Sequence, residues 1–301
     1  MADIHIGPEA PYEGKIRKLS RFSLDYLDAL VERFKADRTI AFVGQLGDLI
    51  EDSDAALDRQ NIKAGVHSLS RFSQPVLHVL GNHEQVNLSV PELCALIGRQ
   101  RPYYSVRLAA AAGGKAQTGS ETDLTLIVLF SASRLHTDIH IDDDQIDWLR
   151  GELRAAPGPV LVLVHHPLDE QSLIGNIWFE KYPDYCYVEE RAAVRAVLEE
   201  SGKVLAVFGG HVHQNSVSTI NGIVYCTVQS LVESVSGDIA SGKTSPAGST
   251  PQADTPQASG AYALVEIECG AGAAGKMIID VFGLDPLHVE LPLKTWSASK
   301  V

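Results

Sequence analysis

Apolar positions along the chain fall into two periods. Over residues 17–36 they recur at Leu19, Phe22, Tyr26, Leu27, Leu30, Val31 and Phe34, the spacing of an amphipathic helix. Helical patterns return over residues 54–72, 91–98, 144–153 and 189–200, the second opening with Pro91 in its first turn. Between them lie short, largely apolar runs at 39–43, 75–80, 124–130, 160–164 and 204–208, the mark of buried strands. The tail is strand-rich, with runs at 223–228, 261–267 and 277–282. Strand and helix alternate first, and strands dominate last. This order predicts an α/β fold, a four-layer αββα sandwich of two facing mixed β-sheets flanked by helices.

Two stretches break the pattern. Residues 109–120 are rich in Ala and Gly and predict an exposed hairpin loop. Residues 234–260 are rich in Ser, Gly, Pro and Thr with almost no large apolar side chain. A strand pattern resumes at once on the far side, so this stretch predicts a mobile loop within one domain spanning 1–301 rather than a linker.

Composition narrows the class. At 45% hydrophobic and 21% charged, the 301 residues are those of an ordinary globular protein. A net charge of -13 argues against nucleic-acid and anionic-membrane partners. It leaves room for an anionic small-molecule substrate if bound metal reverses the sign locally. Apolar runs are too short to span a bilayer. Cys94, Cys186, Cys226 and Cys269 form no CxxC pair and read as reduced thiols, Cys226 and Cys269 within strands. The expected location is the cytoplasm.

The chemistry lies where the apolar runs stop. There stand Asp3-Ile4-His5, Gly47-Asp48, Gly81-Asn82-His83-Glu84, His165-His166-Pro167 and Gly210-His211-Val212-His213. In an extended chain the i and i+2 side chains of Asp3/His5 and of His211/His213 share one side. Two carboxylates, a carboxamide and several imidazoles, with no thiolate, suit Mn, Fe, Zn and similar ions better than Ca or Mg alone. Asp3, His5 and His213 can hold one ion and Asn82, His165 and His211 a second, with Asp48 between them. Two such ions can acidify a bridging water and stabilise an in-line displacement at phosphorus.

The ordered set resembles the calcineurin-like metallophosphoesterases, whose pattern is D-x-H, GD, GNH[DE], H and GHxH in that order. The resemblance covers residues 3–215 and implies a dinuclear hydrolase of phosphate esters. His83 matches a histidine that contacts substrate and protonates the leaving group, so His83 and Asp48 are the expected catalytic residues. The strand-to-His-x-Pro form selects His165 over His166 as the ligand. His166, Arg134 and Trp178 are the candidate substrate contacts. The opening Asp3-Ile4-His5-Ile6-Gly7, the basic helical run 15–19, Trp178, and Gly222-Ile223-Val224-Tyr225 leading to Leu231-Val232-Glu233 look like the ADP-ribose/CDP-alcohol diphosphatase branch. Gln214-Asn215-Ser216 departs from the Gly-Gly-Tyr-like stretch usual there.

The expected activity is thus hydrolysis of phosphodiester or pyrophosphate bonds in a nucleotide-type small molecule by a metal-bridging hydroxide. Phosphomonoesterase or cyclic-nucleotide phosphodiesterase activity is the alternative, and a non-catalytic scaffold is the alternative from another class. Asp138-Ile139-His140 mimics the opening motif out of order and predicts a surface loop. Only Met1 and Ala2 precede Asp3. That predicts a natural start further upstream or, failing one, a frayed end carrying Asp3 and His5.

Overall fold

The computed structural model describes residues 1–9, 11–12, 15–16, 18–108, 123–131, 138–233, 260–270, 273–283 and 285–295. The expected loops at 109–120 and 234–260 lie outside these residues, except Gly260, as does Arg134. The short strands β1 (Pro11–Tyr12) and β2 (Lys15–Ile16) pair with each other. Then follow α1 (Ser23–Phe34), β3 (Val43–Leu46), α2 (Ala55–Leu69), β4 (Val76–Val79) and α3 (Val90–Leu96). The centre of the chain gives β5 (Tyr104–Leu108), β6 (Leu124–Val128), α4 (Asp143–Ala155), β7 (Val160–Leu163), α5 (Arg191–Glu200) and β8 (Val204–Gly209). The last strands are β9 (Ser216–Ile220), β10 (Ile223–Thr227), β11 (Tyr262–Gly270), β12 (Ala273–Phe282) and β13 (Leu287–Leu293).

Six strands form one mixed sheet in the order β5-β6-β7-β8-β10-β9. β6, β7, β8 and β10 run parallel, and β5 and β9 are antiparallel edges. The middle strands β7 and β8 are buried throughout, which is why they read as continuous apolar runs. One face packs Ile127, Val162 and Val207 against Ile146, Leu149 and Leu153 of α4 and Val194, Val197 and Leu198 of α5. The opposite face packs Leu126, Leu161 and Leu205 against Leu46, Leu77, Val79, Met277 and Ile279. These last belong to the second layer of strands, built from the parallel pair β3–β4 and the antiparallel β11-β12-β13. Its far side meets α1, α2 and α3 through Leu27, Leu30, Val31, Ile62, Leu69 and Leu93. The four layers of the expected αββα sandwich are therefore present.

Three local expectations change. The helix over 17–36 begins at Ser23 after a 3-10 turn at Ser20–Phe22, and Lys15–Ile16 is strand rather than helix. The run at 39–43 is only the approach to β3, which continues past Gly44 to Leu46. The opening segment is not frayed. Asp3 N–H donates to Gly47 O, His5 N–H to Asp48 O and Ile6 N–H to Leu49 O, while Leu231 N–H donates to Ala2 O on the other side. Backbone bonds on both sides hold the segment between β3 and residues 230–231, and Ala2, Asp3, Ile4 and His5 are fully buried.

Candidate metal centre

The ligand-type residues gather at the carboxyl ends of parallel strands. Gly47-Asp48 follows β3, Gly81-Asn82-His83 follows β4, His165 follows β7, and His211 and His213 follow β8. Open α/β sheets characteristically place their sites at this end. The opening segment lies beside β3 and delivers Asp3 and His5 to the same end.

Backbone conformation aims these side chains. Asp3, His5, Asp48, His211 and His213 all have positive φ, between 50° and 69°. They are five of the seven non-glycine residues with that conformation among those described. The extended-chain picture of Asp3/His5 and His211/His213 is therefore corrected: alternate residues turn left-handed, a strained arrangement that concentrates at functional sites. Close approach is helped by glycine. At Gly47, with φ of 97°, a Cβ would collide with the His165 imidazole, and at Gly81 it would collide with Asp48.

The side chains form two adjoining groups. In the first, His5 Nε2 lies 3.0 Å from His213 Nε2, and His213 Nε2 lies 3.4 Å from Asp3 Oδ1. Donor atoms of Asp3, His5, Asp48 and His213 all fall within 4.8 Å of one another. In the second, His165 Nε2 lies 3.0 Å from Asn82 Oδ1 and 3.3 Å from Asp48 Oδ2. Donor atoms of His165, His166 and His211 also fall within 4.8 Å of one another. Asp48 touches both groups, and His83 N–H donates to its Oδ1 at 3.0 Å.

The donor set fits a pair of divalent ions, because the remote nitrogen of each imidazole already lies against an oxygen. His5 Nδ1 lies 2.9 Å from Glu51 Oε2, and His213 Nδ1 lies 2.7 Å from Glu233 Oε2. His165 Nδ1 donates to Leu46 O and His211 Nε2 to Tyr185 O, both at 2.9 Å. Metal-binding histidines are oriented in this way, the outer acceptor fixing ring and tautomer. The inner nitrogens converge on carboxylate and carboxamide oxygens, a donor mixture suited to borderline transition metals.

Sequence reasoning gave no role to four acids beside these ligands, although Glu84 and Glu233 stood in its motifs. Glu51 and Glu233 back His5 and His213 as described. Asp52 Oδ1 lies 2.6 Å from His83 Nδ1, while His83 Nε2 lies 3.8 Å from Asp48 Oδ2. Burial and Lys18 would lower the His83 pKa, but Asp48, Asp52 and Glu51 outweigh them and raise it. Glu84 accepts from Gly81 N–H at 2.7 Å and from the amides of Leu49 and Ile50, joining the Asp48 and Asn82 loops. Its own pKa is pushed up to about 7, by burial first and Asp48 second.

The three expected substrate contacts are placed unequally. His166 is buried, with Nδ1 2.7 Å from Ser131 Oγ and its ring 4.2 Å from that of His211. Trp178 donates its indole N–H to Glu233 Oε1 at 2.8 Å. Arg134 is outside the described residues. Asp138 and His140 lie on the surface before α4, away from this group.

Known proteins resemble this chain in sequence or in fold. The family model described as calcineurin-like phosphoesterase matches residues 1–215. A curated relative, uncharacterized protein L509 of Acanthamoeba polyphaga mimivirus, is 24% identical over 261 residues, 71% of this chain and 90% of that one. Among solved structures, a dimetal phosphatase from Danio rerio superposes with a TM-score of 0.65 at 19% identity, covering 99% of this chain and 98% of that one. The phosphopantetheinyl hydrolase of Mycobacterium tuberculosis superposes with a TM-score of 0.50 at 12% identity, covering 81% and 91%. Both structural likenesses are likenesses of fold. Since the family's ordered pattern runs through most of the chain, this protein belongs to the calcineurin-like phosphoesterases and is a metal-dependent phosphoester hydrolase.

Proposed function

We propose that the centre cleaves a phosphodiester or pyrophosphate bond in a small nucleotide-type molecule. One observation carries the substrate class. Tyr182 and Tyr185 are exposed and stacked, with centroids 5.4 Å apart and planes 13° from parallel. The Tyr185 carbonyl accepts the hydrogen bond from His211. A flat aromatic platform is thereby fixed to a candidate ligand, where it can stack on a planar leaving group.

In this reading Asp3, His5 and His213 hold one ion, Asn82, His165 and His211 the other, and Asp48 joins them. Mn, Fe or Zn suits the donors. The bound ions would supply an acidified water and positive charge against the phosphate, offsetting the acidic balance of the chain. His83, backed by Asp52, keeps a proton on Nε2 and presents it to the leaving oxygen. His166 and Arg134 remain candidate contacts for the phosphate. Three described thiols, Cys94, Cys186 and Cys226, are free and buried, which suits the cytoplasm. Among the described residues no helix is long and apolar enough to cross a membrane.

A substrate panel with Mn tests the proposal: ADP-ribose, CDP-choline, cyclic AMP, a glycerophosphodiester and p-nitrophenyl phosphate. The expected result is a highest kcat/KM on ADP-ribose or CDP-choline. A preference for cyclic AMP would select the cyclic-nucleotide alternative, and a preference for p-nitrophenyl phosphate the phosphomonoesterase.

A further inference from the structure

Two side chains outside the family's five blocks touch the groups that hold the metal-site histidines. Lys18 Nζ lies 2.9 Å from Glu51 Oε2, the same oxygen that lies 2.9 Å from His5 Nδ1. The Trp178 indole N–H donates to Glu233 Oε1, and the other oxygen of that carboxylate lies 2.7 Å from His213 Nδ1. The Lys18 ammonium lies 5.7 Å from the Trp178 ring centroid, within cation–π range. The contacts close on themselves: His5, Glu51, Lys18, Trp178, Glu233, His213, and back to His5 across 3.0 Å between the two Nε2 atoms.

The geometry points to Lys18 and Trp178 as positioning residues that clamp the His5/His213 ion site, each fixing one of the two carboxylates that orient those imidazoles. A carboxylate with a free oxygen can swing away or take the ion itself. Here both oxygens of Glu233 are engaged, and the Glu51 oxygen facing His5 is shared with an ammonium. A lysine near a divalent ion costs repulsion unless nearby anions absorb its charge. Glu51 and then Glu233 are the strongest attractions on Lys18. The second ion site is backed differently: its histidines His165 and His211 donate to the backbone carbonyls of Leu46 and Tyr185. Removing Lys18 or Trp178 should therefore disturb one ion and spare the other. The inference rests on the two-ion reading of the centre.

The test is Mn binding by calorimetry, with free Mn counted by electron paramagnetic resonance. The proteins are the wild type, Lys18→Met, Trp178→Phe and the double variant, with melting temperatures measured alongside. Trp178→Phe keeps an aromatic ring while removing the indole N–H, so it carries the test should Lys18→Met not fold. The wild type should bind two ions. Each variant should weaken one site by about tenfold and leave the other unchanged. The double variant should lose less than the product of the two, because both act on one ring of contacts. Wild-type affinity at both sites with a raised KM would make Trp178 a substrate contact and overturn the clamp. Equal weakening of both sites would overturn it as a general structural effect. A wild type that binds fewer than two ions would instead overturn the two-ion reading, and the clamp with it.

Discussion

His5 and His213, 208 residues apart, point their Nε2 atoms at each other across 3.0 Å, and each ring is braced from behind by a carboxylate. With Glu51 and Glu233 beside their Nδ1 atoms, the two Nε2 atoms crowd one another, an arrangement that a cation between them relieves. Metal removal should therefore cost stability as well as activity. A ligand present at a hundred times its Kd adds about 2.7 kcal/mol to the folded state. For a chain of this size that is a rise of about 4 °C in Tm. Thermal melting in EDTA and then with Mn restored measures it; superimposed melts would show that the site does not hold the metal tightly.

Asp48 and Gly81 are coupled by space alone. A Cβ at Gly81 would meet the Asp48 carboxylate and its backbone N, neither of which can retreat. Gly81→Ala should therefore mimic Asp48→Asn, each lowering kcat on bis-p-nitrophenyl phosphate by about a thousandfold or more, as expected when charge stabilisation at the reacting centre is lost. Gly151, inside α4 with open space around it, is the control. Gly151→Ala should keep full activity and gain about 0.5–1 kcal/mol from helix propensity, read by urea unfolding.

The order of the ligands was legible because, Asp3 and His5 apart, each follows an apolar run that becomes a strand, so chemistry and punctuation coincide. The acids behind them were not. Glu51 and Asp52 stand in the polar stretch Glu51-Asp52-Ser53-Asp54, which reads as solvated loop until Ile6 and Glu51 are joined through the backbone. Glu233 reaches His213 only because residues 230–231 pair with the opening segment. The left-handed φ at Asp3 and His5 had no signal, since non-glycine residues rarely adopt it. The strands β5, β9 and β13 were missed for a shared reason: all are sheet edges, half exposed and without continuous apolar runs. β13 also carries Pro292, tolerated at an edge and discouraging in a sequence.

His83 and Asp52, 2.6 Å apart, make a claim about the leaving group. An alkyl oxygen needs a proton to depart, whereas nitrophenolate leaves readily without one. His83→Ala should therefore lose about 100- to 10,000-fold in kcat on a diester with an alkyl leaving group, and distinctly less on bis-p-nitrophenyl phosphate. Asp52→Asn should show the same selectivity to a smaller degree. Equal losses on both substrates would assign His83 to phosphate binding instead of proton transfer.

His78 and Tyr104 support a prediction far from the chemistry. The Tyr104 hydroxyl accepts from His78 N–H and donates to His78 O, pinning the β4 backbone, while His78 Nδ1 is buried without a hydrogen-bond partner among the described residues. Burial, with a smaller push from Arg99, lowers the His78 pKa to about 4. An unfolded histidine titrates near 6.5, so below that pH the unfolded chain binds a proton that the folded chain refuses. Stability from the neutral ring is complete above about 6.5 and is lost progressively as pH falls toward 4, about 2 kcal/mol of it between pH 7 and pH 5. His78→Leu keeps the backbone bonds to Tyr104 and removes the titrating group. Urea unfolding at pH 7 and pH 5, both in EDTA, should show a drop for the wild type that exceeds that of the variant by about 2 kcal/mol. Equal drops would mean that His78 gains its proton as easily folded as unfolded.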